Sequence, residues 1–167
     1  MGVMSFIKEA GEKLFGKGEA KEAHDAVAAS PTPENVAALS KAAGDAIAAY
    51  INTQGLAVDA LDVSFDAPSG QVTVAGVVAD QVTKEKVILC CGNVAKVELV
   101  NDMLVVNEPE PESQWHVVVS GDNLSKIAKH FYDNPNKYPV IFEANQPMLS
   151  HPDKIYPGQM LRIPLLA

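Results

Sequence analysis

The residues best placed for chemistry are Cys90-Cys91-Gly92-Asn93-Val94-Ala95-Lys96-Val97. They follow an apolar-periodic run, Val82, Val87, Ile88, Leu89 and Cys90, and precede an alternating one, Val94, Val97, Leu99 and Val105. Gly92 stands where a helix should stop, because glycine takes the left-handed conformation of a C-terminal cap without a Cβ penalty. The last carbonyls of such a helix lack intrahelical partners and carry the negative end of its dipole. A Schellman turn with water satisfies most helix ends. The alternative chemistry here is a cation held by backbone oxygens.

Other reactive side chains form no constellation. Cys90 and Cys91 are adjacent, so they cannot staple distant elements, and no Cys-x-x-Cys or nearby His accompanies them. They read as buried thiols in a reducing compartment. His24, His116, His130 and His151 have no ligand spacing and read as surface or strand-edge residues. Ser, His and Asp occur without a nucleophile-elbow context, so the chain is not read as an enzyme.

The elements that must position this turn follow from periodicity. Ser5 can cap an amphipathic helix with Phe6, Ile7, Ala10, Leu14 and Phe15 on one face. An Ala/Glu/Lys-rich helix runs from Glu19 to about Ala29, and another from Glu34 to about Thr53, with Gly44 as a candidate break. Leu61, Val63 and Phe65 then alternate with Asp62, Ser64 and Asp66; Pro68-Ser69-Gly70 turns the chain, and Val72, Val74 and Gly76 continue a hairpin. Asp80 caps a helix to Cys91, and a strand follows from Lys96 to Val106. The order α-β-β-α-β gives a three-stranded antiparallel or mixed sheet with helices on one face.

Glu108-Pro109-Glu110-Pro111-Glu112-Ser113 reads as a stiff, solvated linker, because alternating Pro and Glu favour extended, self-repelling chain. Beyond it come a strand at Trp115–Val119 and a helix capped by Asn123 or Asp122. A second helix runs from Pro139 to about Asn145, and a short strand closes at Met160–Pro164. That β-α-α-β unit makes the whole chain α+β.

Composition bounds the partners. The 167 residues are 47% hydrophobic and 20% charged, which is globular, with a net charge of −8. Residues 1–113 hold 8 Lys/Arg against 17 Asp/Glu, whereas 114–167 hold 5 against 4. No clustered basic footprint for nucleic acid exists. No run reaches the roughly 18 apolar residues of a membrane span, and the N-terminus is charged too early for a signal peptide. The setting expected is the cytoplasm of a bacterium.

Two resemblances bear on function. Val117-x-x-x-Gly121-Asp122-Asn123-Leu124-x-x-Ile127-Ala128, Ile141-x-x-x-Asn145 and Ile155-Tyr156-Pro157-Gly158-Gln159-x-Leu161-x-Ile163-Pro164 resemble a LysM domain. Leu61 to Val106, through Val72-x-Val74-x-Gly76 and a Gly-Asn-Val turn, is similar to a BON domain. With the opening Phe6-Ile7-Lys8-Glu9-Ala10-Gly11-Glu12-Lys13-Leu14, nearly the whole chain resembles the small bacterial potassium-binding proteins of the BON–LysM type.

That resemblance implies a helical segment with an Ala-rich insert (1–40), a BON domain (41–107), a linker (108–113) and a LysM domain (114–167). It implies a monomer whose two domains touch, and a K⁺ site made by the carbonyls of Ile7, Lys8, Ala10, Gly92, Val94 and Val97. Neutral oxygens suit a weakly hydrated monovalent ion, with Rb⁺ or Cs⁺ able to substitute, and no acidic calcium loop is present. Binding would draw the two domains together. The competing function is LysM recognition of N-acetylglucosamine chains in peptidoglycan, in a groove formed by Gly121, Asp122, Asn123, Leu124 and the Met148–Tyr156 region. A lipid-associating role for the BON unit is disfavoured by its acidity.

Overall fold

A computed structural model describes residues 2–5, 32–66, 68–92 and 97–166. The helices expected at Phe6–Phe15 and Glu19–Ala29 lie outside the described residues. The first described element is a strand, β1 (Gly2–Ser5), so Ser5 belongs to a sheet. Four residues are too few for an alternation to announce itself; the edge of a neighbouring strand supplies the pairing.

That neighbour is β4 (Leu99–Glu108), antiparallel to β1, with Gly2 opposite Asp102 and Ser5 opposite Leu99. Among the described residues the sheet has four strands rather than three, in the order β1-β4-β3-β2, with β2 at Asp59–Asp66 and β3 at Gln71–Asp80. Strands β2 and β3 form the expected hairpin, whose turn is fixed by Gly70 N–H donating to Asp66 O at 2.9 Å and by Ser69 N–H donating to the Asp66 carboxylate. Strands β3 and β4 are parallel, joined by a crossover helix.

Two helices cover one sheet face, where Phe65, Val72, Val74, Val78, Val100 and Leu104 are buried. Helix α1 (Pro33–Thr53) buries Ala43, Ile47 and Ile51 and is not broken at Gly44. A Cβ at Gly44 would lie 2.9 Å from the Val63 carbonyl, so this glycine lets the helix lie against β2. Helix α2 (Gln81–Gly92) begins with Thr83 N–H donating to Asp80 Oδ1 at 2.7 Å, and every residue from Val87 to Gly92 is buried. A helix enclosed on all sides needs apolar residues all round, which is why its periodicity fades toward Cys91.

The remaining chain pairs β5 (Gln114–Val117) with β6 (Met160–Ile163), backed by α3 (Leu124–Tyr132), a single 3₁₀ turn at Pro135–Lys137 and α4 (Tyr138–Ala144). Asn123, not Asp122, caps α3, its Oδ1 accepting from Lys126 N–H at 2.8 Å. Its own core includes Leu124, Ile127, Ile141, Leu149, Leu161 and Ile163. Met148, Met160, Trp115, Val117 and Tyr156 join the first core, so the two sheets pack on a shared apolar layer beside α2. Residues Glu108–Glu112 are exposed, as a solvated linker requires, but Ser113 is buried. Among the described residues no helix is long and apolar enough to cross a membrane.

Candidate functional site

The residues on either side of the connection between α2 and β4 are anchored. Gly92, expected as a left-handed cap, is itself the last residue of α2 and is buried. Val97 is fully buried, and the next two amides, Glu98 and Leu99, both donate to the Gly70 carbonyl, at 2.8 and 3.4 Å. Gly92 and Val97 thus border residues 93–96, which lie outside the described residues, one at a packed helix end and the other beside the hairpin. Val94, Ile7, Lys8 and Ala10 lie outside the described residues. The pairing of Ser5 with Leu99 nevertheless fixes where the first segment starts. The chain leaves β1 at the end of the sheet where the turn enters β4, and two residues past Ser5 span at most about 7 Å.

The two thiols at the helix end are held neutral. Burial pushes the Cys90 thiol up to about 12 and the Cys91 thiol well above its ordinary value. Burial likewise raises the phenol of Tyr50, which faces Cys90. Protonated thiols are poor ligands for soft metals, and no group of three His, Cys, Asp or Glu able to hold a metal occurs among the described residues.

A second polar cluster on the same helix has little local signature in the sequence. Glu85 is 1% exposed and accepts from Ser113 N–H at 2.9 Å, from Gln81 Nε2 at 3.2 Å and from Arg162 Nε. Arg162 is 7% exposed, so the ion pair joining α2 to β6 is buried on both sides. Desolvation drives the Glu85 carboxyl upward, but the Arg162, Ser113 and Gln81 bonds outweigh it and leave it below the ordinary carboxylate value. One signal was available: Gln81 and Glu85 lie four apart, on one side of the helix, ahead of an otherwise apolar run.

A groove of about 520 Å³ opens beside the start of α3, lined by Asn123, Leu124, Ser125, Tyr138, His151, Pro152 and Asp153. Of the residues expected there, Asn123 and Leu124 line it, as do His151, Pro152 and Asp153 from the Met148–Tyr156 region, whereas Gly121, Asp122 and Tyr156 do not. Gly121 is exposed nearby at φ +90°. Asp122 braces the turn, accepting from His116 Nε2 at 2.8 Å and Val119 N–H at 3.0 Å, and its carboxyl is lowered chiefly by the His116 bond. Tyr156 packs into the first core, where burial raises its phenol. His116, read as a strand-edge residue, is half-buried and meets Phe131 edge-on. Tyr138 and Ser125 were missed because a groove joins residues remote in sequence and no spacing rule marks them.

Residues 116–164 match the LysM domain family. Across 164 residues the chain is 40% identical to the potassium binding protein Kbp of Escherichia coli O6:H1, covering 98% of this chain and 99% of that one. A stretch of 49 residues is 49% identical to an uncharacterized protein of Deinococcus radiodurans, covering 29% of this chain and 19% of that one.

Proposed function

The chain belongs to the family of the potassium binding protein Kbp, and from that premise we propose that it binds one K⁺ at the turn following α2. The ligands are the main-chain carbonyls of Gly92, Val94 and Val97 from that turn and of Ile7, Lys8 and Ala10 from the first segment. The observation that carries this reading is the register of β1 on β4. Ser5 stands opposite Leu99, so the strand end leading to Ile7 and the strand start fed by Val97 adjoin.

K⁺ fits such a site because carbonyl dipoles can replace its loosely held water, whereas a divalent ion demands carboxylates to repay dehydration. The negative end of the α2 dipole favours a cation at the same place. Rb⁺ and Cs⁺ should substitute. Because the two half-sites are distant in sequence, the ion ties the first segment to the BON-like unit (41–107), tightening its packing against the LysM unit (114–167). The protein is then a bacterial cytoplasmic monomer that senses or buffers K⁺, with no catalytic step. Thermal melts in KCl and NaCl at equal ionic strength test it. The midpoint should rise with KCl concentration in excess of NaCl, as mass action requires for an ion bound by the native state. Coincident melts would defeat the reading.

The second reading is a glycan-binding protein. The groove lined by Tyr138, His151 and Asn123 favours it, since an aromatic face with convergent polar groups suits an N-acetylated sugar. Retention on peptidoglycan by the full chain, lost in Tyr138→Ala, would support that role.

A further inference from the structure

We propose that the buried Glu85–Arg162 pair is the positioning element of the ion site, locking α2 and its C-terminal turn against the second unit in the arrangement that takes up the cation. This inference rests on the K⁺ reading above and adds to it the residues that transmit domain packing to the turn.

The geometry singles out α2. Its last residue, Gly92, borders the turn, and Glu85 lies about two helical turns earlier, roughly 10 Å along the axis. Arg162 comes from β6, and Ser113 from the end of the exposed Pro/Glu segment, so two of Glu85's three partners reach it from the far side of that segment. Arg162 is held in turn through its backbone. Asn145 Nδ2 donates to its carbonyl at 2.9 Å, and its N–H donates to Asn145 Oδ1 at 2.8 Å. A shift of β6 is therefore felt at α2. The apolar layer around the pair, with Met148, Met160 and Trp115, supplies cohesion but no register.

An ion pair is a poor way merely to stabilise a permanent core, because desolvating both charges offsets most of their attraction. Its particular property is reversibility with register. When the two faces part, both charges recover hydration, so opening costs less than for an apolar contact of equal area. When they close, only one alignment satisfies Glu85, Ser113, Gln81 and Arg162 together. If only the closed form presents the turn correctly, apparent ion affinity scales with the closed fraction.

Calorimetric titration of the full chain with KCl, at ionic strength held constant with choline chloride, tests this, with X-ray scattering recording compaction. Glu85→Gln keeps an acceptor for Ser113 but strands the Arg162 charge. It should weaken K⁺ binding roughly tenfold, within the range usual for coupled sites, and leave the ion-free chain more extended. Adding Arg162→Met removes the stranded charge and should recover stability but not affinity, because the pair that sets the register is still missing. Full recovery of K⁺ affinity in the double variant would mean that the stranded charge, and not the loss of the pair, weakened binding, and would overturn the proposal. Ser113→Pro deletes one donor without changing any charge and keeps the test open should Glu85→Gln fail to fold; it should weaken binding several-fold. If the parent binds K⁺ while Glu85→Gln or Ser113→Pro binds it equally well, the pair is not a positioning element. If the parent itself shows no K⁺ heat and no midpoint shift in KCl, the ion reading has failed first, and this inference falls with it.

Discussion

Asn145 holds both backbone groups of Arg162: its Nδ2 donates to the Arg162 carbonyl at 2.9 Å, and its Oδ1 accepts from the Arg162 N–H at 2.8 Å. One side-chain amide thereby stands in for a strand on the side of β6 away from β5. The second Nδ2 hydrogen goes to the Ile141 carbonyl near the end of α4 at 2.7 Å, so every polar atom of this 3%-exposed side chain is used. Replacing Asn145 with Ala would leave three buried backbone groups short of partners. At 1–3 kcal/mol for each unmade bond, partly recovered by entering water, the expected loss is about 3 kcal/mol. Chemical denaturation of the variant checks this; a loss under about 1 kcal/mol would show that β6 does not depend on the amide.

The contrast between Asn145 and Glu85 shows what the chain discloses before it folds. The hairpin, α2, the Asn123 cap and the strand-helix-helix-strand order follow from alternation, 3.6-residue spacing and turn residues, all local properties. Strand β1 is not, because four residues take their structure from the edge of β4. Glu85 and Arg162 are 77 positions apart, and each alone looks like an ordinary surface charge. Only the shared apolar layer around α2 turns them into a buried pair. Tyr156, which the LysM resemblance places in the groove region, has its ring packed against the first core, a contact that no local pattern announces.

Gly44 gives a test of how tightly α1 lies on β2. Alanine in a helix interior is favoured over glycine by about 1 kcal/mol. Here, however, the added Cβ would meet the Val63 carbonyl at 2.9 Å and Phe65 N at 3.4 Å, both backbone atoms that cannot rotate away. Overpacking of this kind costs about 1–3 kcal/mol, so Gly44→Ala should be destabilising by about 1 kcal/mol net. A thermal melt with an unchanged or higher midpoint would mean that the helix can slide off the strand freely.

The pH response of stability follows from Glu85. Its folded carboxyl lies below the ordinary carboxylate value: desolvation raises it, but the bonds from Arg162, Ser113 and Gln81 prevail. Asp80 and Lys86 also act on Arg162 or on each other across the same end of α2, and Asp80 is itself lowered, first by the Thr83 backbone bond. A carboxyl depressed in the folded state stabilises the protein above its unfolded pKa, about 4.3 for Glu. That contribution is lost as pH falls through the lower folded value. Melting midpoints should therefore fall below about pH 4, and Glu85→Gln should start lower near neutrality but show a shallower acid limb. Parallel acid limbs in the two proteins would remove Glu85 from this account.

Backbone shape and side-chain chemistry make opposite predictions at Gly92 and Cys91. If the ion is held by carbonyls, Gly92→Val should weaken K⁺ binding strongly, because a β-branched residue at the buried end of α2 must displace its neighbours and redirect the turn that follows. Cys91 is fully buried in the first core with its thiol held protonated, so it contributes volume and no charge. Cys91→Ser places a hydroxyl among apolar groups and should cost about 1–3 kcal/mol of stability. K⁺ affinity measured at a temperature where the variant is folded should change less than twofold. Calorimetry of both variants separates the alternatives. A thiol ligand would reverse the order, with Cys91→Ser losing the ion and Gly92→Val retaining it, whereas a carbonyl site requires the glycine to matter more.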